Sequence, residues 1–206
     1  LVLVDDESLS KIGYVKARIP DGREIIEVIK EVSKEYKVKI PEPNYIASIL
    51  TVTDPLYENQ WYIPDTNFNK AWETAKSKNT VKIAVIDTGI NTEHPDLKGK
   101  ILKGYDFVNN DADASDDHGH GTFVAGIISA TANDIGIKGL YDYAQIIPVK
   151  VIDANGVGIY EDTAKGIIYA VDNGAKVINL SIGGYGYSFM LQDAVDYALE
   201  KGAIVV

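Results

Sequence analysis

The chain contains no cysteine, a single methionine and only seven prolines in 206 residues. Absence of thiols excludes a disulfide framework and any metal-thiolate site. No run of about 18 apolar residues occurs, so no segment has the character of a membrane-spanning helix. Positive charge is scarce as well, with 20 Lys and Arg against 30 Asp and Glu and a net charge of −10. Nucleic-acid phosphates require a basic patch, and nucleic acid is therefore not an expected partner. Neither an initiator methionine nor a signal-peptide pattern stands at Leu1, and the sequence reads as a segment cut at both ends.

The acidity is uneven. Residues 1–50 hold nine acidic and eight basic side chains, whereas residues 51–206 hold 21 and 12. An anionic surface of this kind suits a secreted protein or one that carries bound cations. The pattern also changes near residue 50. Residues 14–19 alternate as a half-buried strand, and Pro20, Asp21 and Gly22 make a turn with Asp21 as N-cap. Ile25, Ile26, Ile29 and Val32 recur at helical spacing, and residues 37–40 alternate again. Pro41 and Pro43 then fix an extended exit. A two-layer α/β module this small is marginal alone.

Residues 51–206 read differently. Apolar strands are expected at 81–86, 145–151, 177–182 and from 203 onward. Helices are expected between them, at about 120–130, 160–173 and 189–201. Such alternation implies right-handed crossovers and a doubly wound parallel α/β sheet covered on both faces. A sheet of this kind carries its reactive groups at the carboxyl ends of its strands. Asp87 falls there, as does Ser181-Ile182-Gly183.

An aspartate at the end of an apolar strand can orient and charge-stabilise an imidazole, and a histidine at the start of a small-residue helix can act as general base. His120 opens such a helix, within His-Gly-Thr-Phe-Val-Ala-Gly. No G-x-G-x-x-G loop follows the Asp87 strand, which removes a dinucleotide-binding reading. His118, His120 and a nearby aspartate lack the H-E-x-x-H spacing of a zinc site. His118 and His94 read as solvated or hydrogen-bonding residues.

Asp87-Thr88-Gly89, with His94-Pro95-Asp96-Leu97 behind it, and His120-Gly121-Thr122, with Val124-Ala125-Gly126 behind it, resemble the subtilisin-like serine peptidases. Members of that family carry Asp, His and Ser in this chain order. The resemblance implies an incomplete subtilisin-like catalytic core in residues 51–206. It also implies a ferredoxin-like propeptide module, itself N-terminally incomplete, in residues 1–50. Asp87 is expected to hold the Nδ1–H of His120, the general base. No Gly-Thr-Ser segment follows His120, so the nucleophile is expected beyond Val206 and the 206-residue segment alone is expected to be inactive. Ser181 is not the nucleophile in this reading.

Leu180-Ser181-Ile182-Gly183-Gly184 resembles the family segment that lines the S1 pocket. Gly156-Val157-Gly158 resembles the opposing segment that binds P2–P4. Ser181, Ile182 and Gly183 on one side, with Gly156 and Gly158 on the other, can clamp a polypeptide substrate as an added strand. The family's structural calcium implies ligands from Thr131, Asn133, Ile135 and Ile137, with Asp96 and with Gln60 or Asp54. A second calcium is expected at Asp106, Asp111 and Asp113, with Asp116 nearby. The expected whole is a secreted serine endopeptidase made as a zymogen, with its own propeptide as intramolecular inhibitor. A peptide-binding pseudo-protease and a propeptide-led inhibitor or folding module are the alternatives. Whether the gene reads on through a serine motif separates them.

Overall fold

The computed structural model describes residues 1–206 apart from 5–6, 21, 36–40, 45, 50–59, 75–78 and 132–135. The N-terminal part contains β1 (Val2–Val4), α1 (Glu7–Ser10), β2 (Lys16–Arg18), α2 (Ile25–Glu35) and β3 (Ile46–Ile49). β1 and β2 pair antiparallel, Leu3 opposite Ala17. The alternating stretch at 14–19 is thus a three-residue strand, and the helical spacing from Ile25 gives α2 as expected. The Asp21 cap and the strand at 37–40 lie outside the described residues. Neither α1 nor β3 was foreseen, because four-residue elements carry too little periodicity.

Two short helices follow, α3 (Tyr62–Asp65) and α4 (Phe68–Thr74). The sheet region then runs β4 (Val81–Asp87), β5 (Tyr105–Asp106), α5 (His120–Ser129), β6 (Ala144–Lys150), β7 (Val157–Ile159) and α6 (Tyr160–Asp172). It ends with β8 (Val177–Asn179), β9 (Ile182–Gly183), α7 (Phe189–Glu200) and β10 (Ile204–Val205). Five strands lie in the order β10-β8-β4-β6-β5. Every pairing in that sheet is parallel.

Side-chain alternation explains why the sheet is covered twice. Ala84 and Ile86 of β4, with Ile147 and Val149 of β6, pack against Ala164 and Ile167 of α6 and Ala194 of α7. Ile83 and Val85 point the other way and meet Val124 and Ala125 of α5, with Ile146 of β6. The doubly wound α/β architecture expected from the sequence is therefore the observed one.

One expected strand divides. The apolar run at 177–182 leaves the main sheet after Asn179. Ile182 and Gly183 join a separate sheet of order β7-β3-β9 instead. Hydrophobic period alone misses such a break, because the residues on both sides remain apolar. In the second sheet β3 runs antiparallel to both neighbours.

The N-terminal part is held to the rest by more than strand pairing. Leu9 of α1 is 1% exposed and belongs to the same apolar cluster as the residues of α6 and α7. Replacing it with alanine removes buried methylenes and leaves a cavity, at a cost of about 2–5 kcal/mol. Leu3→Ala, at a side chain 72% exposed, should stay within about 0.5 kcal/mol. Denaturant titration of both variants checks the docking; equal small effects would contradict it.

Candidate active site

Where α5 begins, it touches β4 without an intervening side chain. A Cβ on Gly121 would lie 2.1 Å from the Gly89 carbonyl oxygen and 3.2 Å from the Asp87 side chain. That approach brings His120 Nδ1 to 2.8 and 2.9 Å from the two carboxylate oxygens of Asp87. Asp87 is fully buried, and its Oδ1 also accepts the Thr88 N–H at 2.7 Å. Sequence reasoning named both members of this pair, and the structure brings them together.

The turn that carries His120 is fixed by Thr88 and Asp116. Thr88 Oγ1 accepts the Gly121 N–H and donates to Asp116. The Asp116 carboxylate further accepts the N–H groups of His118, Gly119 and Thr122 and the Thr122 hydroxyl. It thereby satisfies donors that a helix start leaves unpaired. Burial pushes the Asp116 carboxyl upward, but the bonds from Thr122, Gly119 and His118 outweigh it and hold the group below its usual value. For His120 the Asp87 hydrogen bond dominates; burial opposes it, yet the imidazole titrates above its ordinary value. His118 is exposed, its ring 6.4 Å from that of His120. His94 Nδ1 accepts the Asp96 N–H. Neither competes for Asp87.

The expected substrate edges face one another across β3. Ile46, Ala47 and Ser48 pair with Ile159, Gly158 and Val157, and Ser48 and Ile49 pair with Gly183 and Ile182. Gly158 must be glycine, since a Cβ there would lie 2.3 Å from the Val151 carbonyl oxygen. Gly156 turns the chain into β7 with φ of 76°. Ser181 Oγ accepts from Asn179 Nδ2 at 2.9 Å. Beside β9 opens a hollow of about 280 Å³ whose walls include Tyr160, Ile167, Ile182 and Leu191.

Residues just before β3 contact the starts of α6 and α7. The Glu42 carboxylate accepts the Phe189 and Met190 N–H groups at 2.6 and 2.8 Å and the Ser188 hydroxyl. Asn44 Oδ1 accepts the Glu161 N–H at 2.6 Å, while its Nδ2 donates to the Glu161 carboxylate. Lys16 pairs with the same buried carboxylate at 2.6 Å. None of these contacts has a local sequence signal, because each partner lies more than a hundred residues away.

Asp96, Thr131, Ile137 and Gln60 come together around one loop. Asp96 is 3% exposed, and its Oδ1 has no hydrogen-bond partner among the described residues. Its Oδ2 accepts the Ile137 N–H and its backbone oxygen accepts the Thr131 N–H. Gln60 bonds both the N–H and the carbonyl of Lys138. An orphaned buried carboxylate oxygen fits a hard cation. Asp54, Asn133 and Ile135 lie outside the described residues.

Of the second expected calcium cluster, Asp106 and Asp111 lie side by side, their backbones exchanging hydrogen bonds. Asp106 accepts two backbone N–H groups and the Asn109 amide, Asp111 accepts the Asp113 N–H, and Asp113 accepts from Ser115. Among the described residues no three His, Asp or Glu side chains converge on one point. These carboxylates stabilise their own turns, a role that composition cannot tell from ligation.

A doubly wound parallel sheet with a buried aspartate at a strand's carboxyl end, gripping a histidine at the next helix's first residue, defines a subtilisin-like hydrolase core. The chain belongs to the subtilase family, whose model matches residues 78–206. It is 44% identical over 199 residues to a thermophilic serine proteinase of Bacillus sp. strain AK1, covering 95% of this chain and 47% of that protein. Thermitase of Thermoactinomyces vulgaris is 45% identical over 158 residues, 76% of this chain and 56% of that protein. The crystal structure of fervidolysin from Fervidobacterium pennivorans, described as a keratinolytic enzyme related to subtilisin, superposes with a TM-score of 0.60 and 39% identity. That match covers 66% of this chain and 22% of the other. The chain thus spans about half the length of the first two relatives.

The elevated His120 titration has a sign that can be measured. A histidine whose folded pKa lies above its unfolded value adds stability below about pH 6.5, and that contribution is lost as pH rises through the folded value. Nuclear magnetic resonance titration of His120 should give a midpoint above about 6.5, and Asp87→Asn should lower it. An unchanged midpoint in the variant would show that Asp87 does not govern the imidazole.

Proposed function

We propose that this chain is the propeptide and the first part of the catalytic domain of a secreted, calcium-stabilised serine endopeptidase made as a zymogen. The boundary between the two parts lies near residue 50. The observation that carries the proposal is β3, an extended segment of the chain seated antiparallel between β7 and β9. Backbone edges that accept a strand of the chain itself can accept a polypeptide substrate in the same manner. Residues 1–50 thereby act as an intramolecular inhibitor, occupying the place a substrate needs.

In the active enzyme, Gly156, Gly158, Ser181, Ile182 and Gly183 bind the substrate backbone. His120 is neutral, with its Nδ1–H donated to Asp87, which leaves Nε2 to take the proton of a serine hydroxyl. That serine comes from a part of the protein outside these 206 residues. As the hydroxyl attacks the scissile carbonyl, the imidazolium is stabilised by the buried Asp87 carboxylate. His120 then returns the proton to the leaving amine.

Calcium, where bound, supplies structural stabilisation. Asp96 and Gln60, with Thr131 and Ile137 and with Asn133 and Ile135 of the same loop, would hold it, Asp54 being the alternative to Gln60.

In the full-length protein, Asp87→Asn should lower turnover by roughly four orders of magnitude with the fold retained. His120→Ala should do comparable damage and His118→Ala little; equal losses from both histidines would point to a shared metal site instead. Mass spectrometry of the mature enzyme should find its N-terminus between Ala47 and Tyr57, and a start well inside residues 1–40 would refute the division of the chain. Chelator should lower the melting temperature, since an ion that binds only the folded state stabilises it by mass action. Asp96→Ala should remove more of that increment than Asp113→Ala, and a melting temperature indifferent to chelator would contradict the calcium assignment.

A further inference from the structure

Lys150, the last residue of β6, has a side chain only 2% exposed. Its backbone lies in register with Asp87 on the neighbouring β4. Burying an ammonium is unfavourable unless acceptors replace its water. Lys150 Nζ has three: the Thr88 carbonyl at 2.7 Å, the Ile152 carbonyl at 2.9 Å and Asp117 Oδ1 at 2.6 Å. Three donors meet three acceptors, so the group is fully satisfied.

The acceptors belong to three different parts of the site. Thr88 directly follows Asp87. Asp117 stands in the turn three residues ahead of His120. Ile152 forms a bridge with Gly158 of β7, the strand that pairs with β3. At the same corner the Asp87 carbonyl accepts the N–H groups of Val151 and Ile152.

We infer that Lys150 is a positioning residue: its ammonium ties the Asp87 strand end, the His120 turn and the peptide-binding edge into one fixed relation. The inference rests on the proposed roles of Asp87 and His120. Lys150 acts through its acceptors and not on substrate. The charged groups acting on His120 are Asp87 on β4 and Asp116 in the preceding turn, with the His118 ring 6.4 Å away.

The test uses the full-length enzyme, with active sites counted by a serine-directed phosphonate. Lys150→Met should lower kcat per counted site at least tenfold. Lys150→Arg keeps a charged donor at this corner and should recover part of that kcat, and Asp117→Ala, which removes one of the three acceptors, should lower kcat per counted site less than Lys150→Met does. Because active sites are counted, a loss from partial unfolding does not enter these values. Wild-type kcat per counted site in Lys150→Met, with only a lower melting temperature, would overturn the inference. If Lys150→Met does not fold, wild-type kcat per counted site in Asp117→Ala overturns it equally. Failure of the unsubstituted enzyme to take the phosphonate would refute the underlying serine-peptidase reading, and the inference with it.

Discussion

His120 reaches Asp87 because two backbones meet where neither carries a side chain. Gly121 presses against the Gly89 carbonyl, and no other residue fits there. Gly89 itself adopts φ of 101°, a left-handed conformation open to glycine. Everything else at the site preserves that contact. Thr88 bonds the Gly121 N–H from one side and Asp116 from the other, and Asp116 gathers the donors of the turn. The pair is therefore organised before any substrate arrives, which is what orientation by a buried carboxylate requires.

The same sheet that carries the pair also supplies a place for an extended chain. β7 and β9 leave its carboxyl end as short edges, and β3 fills the gap between them. Around this strand the polar groups are complementary. Helix starts carry unpaired N–H groups and a partial positive charge. Glu42 meets that of α7, and Asn44 meets that of α6. Leu9 adds apolar burial on the same face. Removing residues 1–49 would return the helix starts, the strand edges and an apolar surface to water together, so these contacts act as a set.

Legibility in the sequence followed length and locality. β4, β6, α5, α6 and α7 each span seven or more residues with one dominant period, and they emerged where the pattern put them. Asp87 and His120 were readable because each sits inside a short motif at an element boundary. β3, β5 and β7 were not, being two to four residues long and stabilised by partners far along the chain. Lys150 was read only as part of an apolar strand, since nothing local marks the corner into which its ammonium points. The acidic loop around Asp106 has no local marker of either role: its carboxylates bond the adjacent backbone, and composition does not tell that role from ligation. Asp96 differs because one of its oxygens is buried and unpaired among the described residues, and nothing in the local sequence marks that.

The central claim is that Asp87 and His120 serve a serine nucleophile that these 206 residues do not contain. Treating the processed full-length protein with a serine-directed phosphonate, then mapping the labelled peptide by mass spectrometry, tests it most directly. The account predicts a single labelled serine outside residues 1–206, with labelling abolished by His120→Ala. Label on Ser181, or none on a correctly folded and processed enzyme, would contradict it.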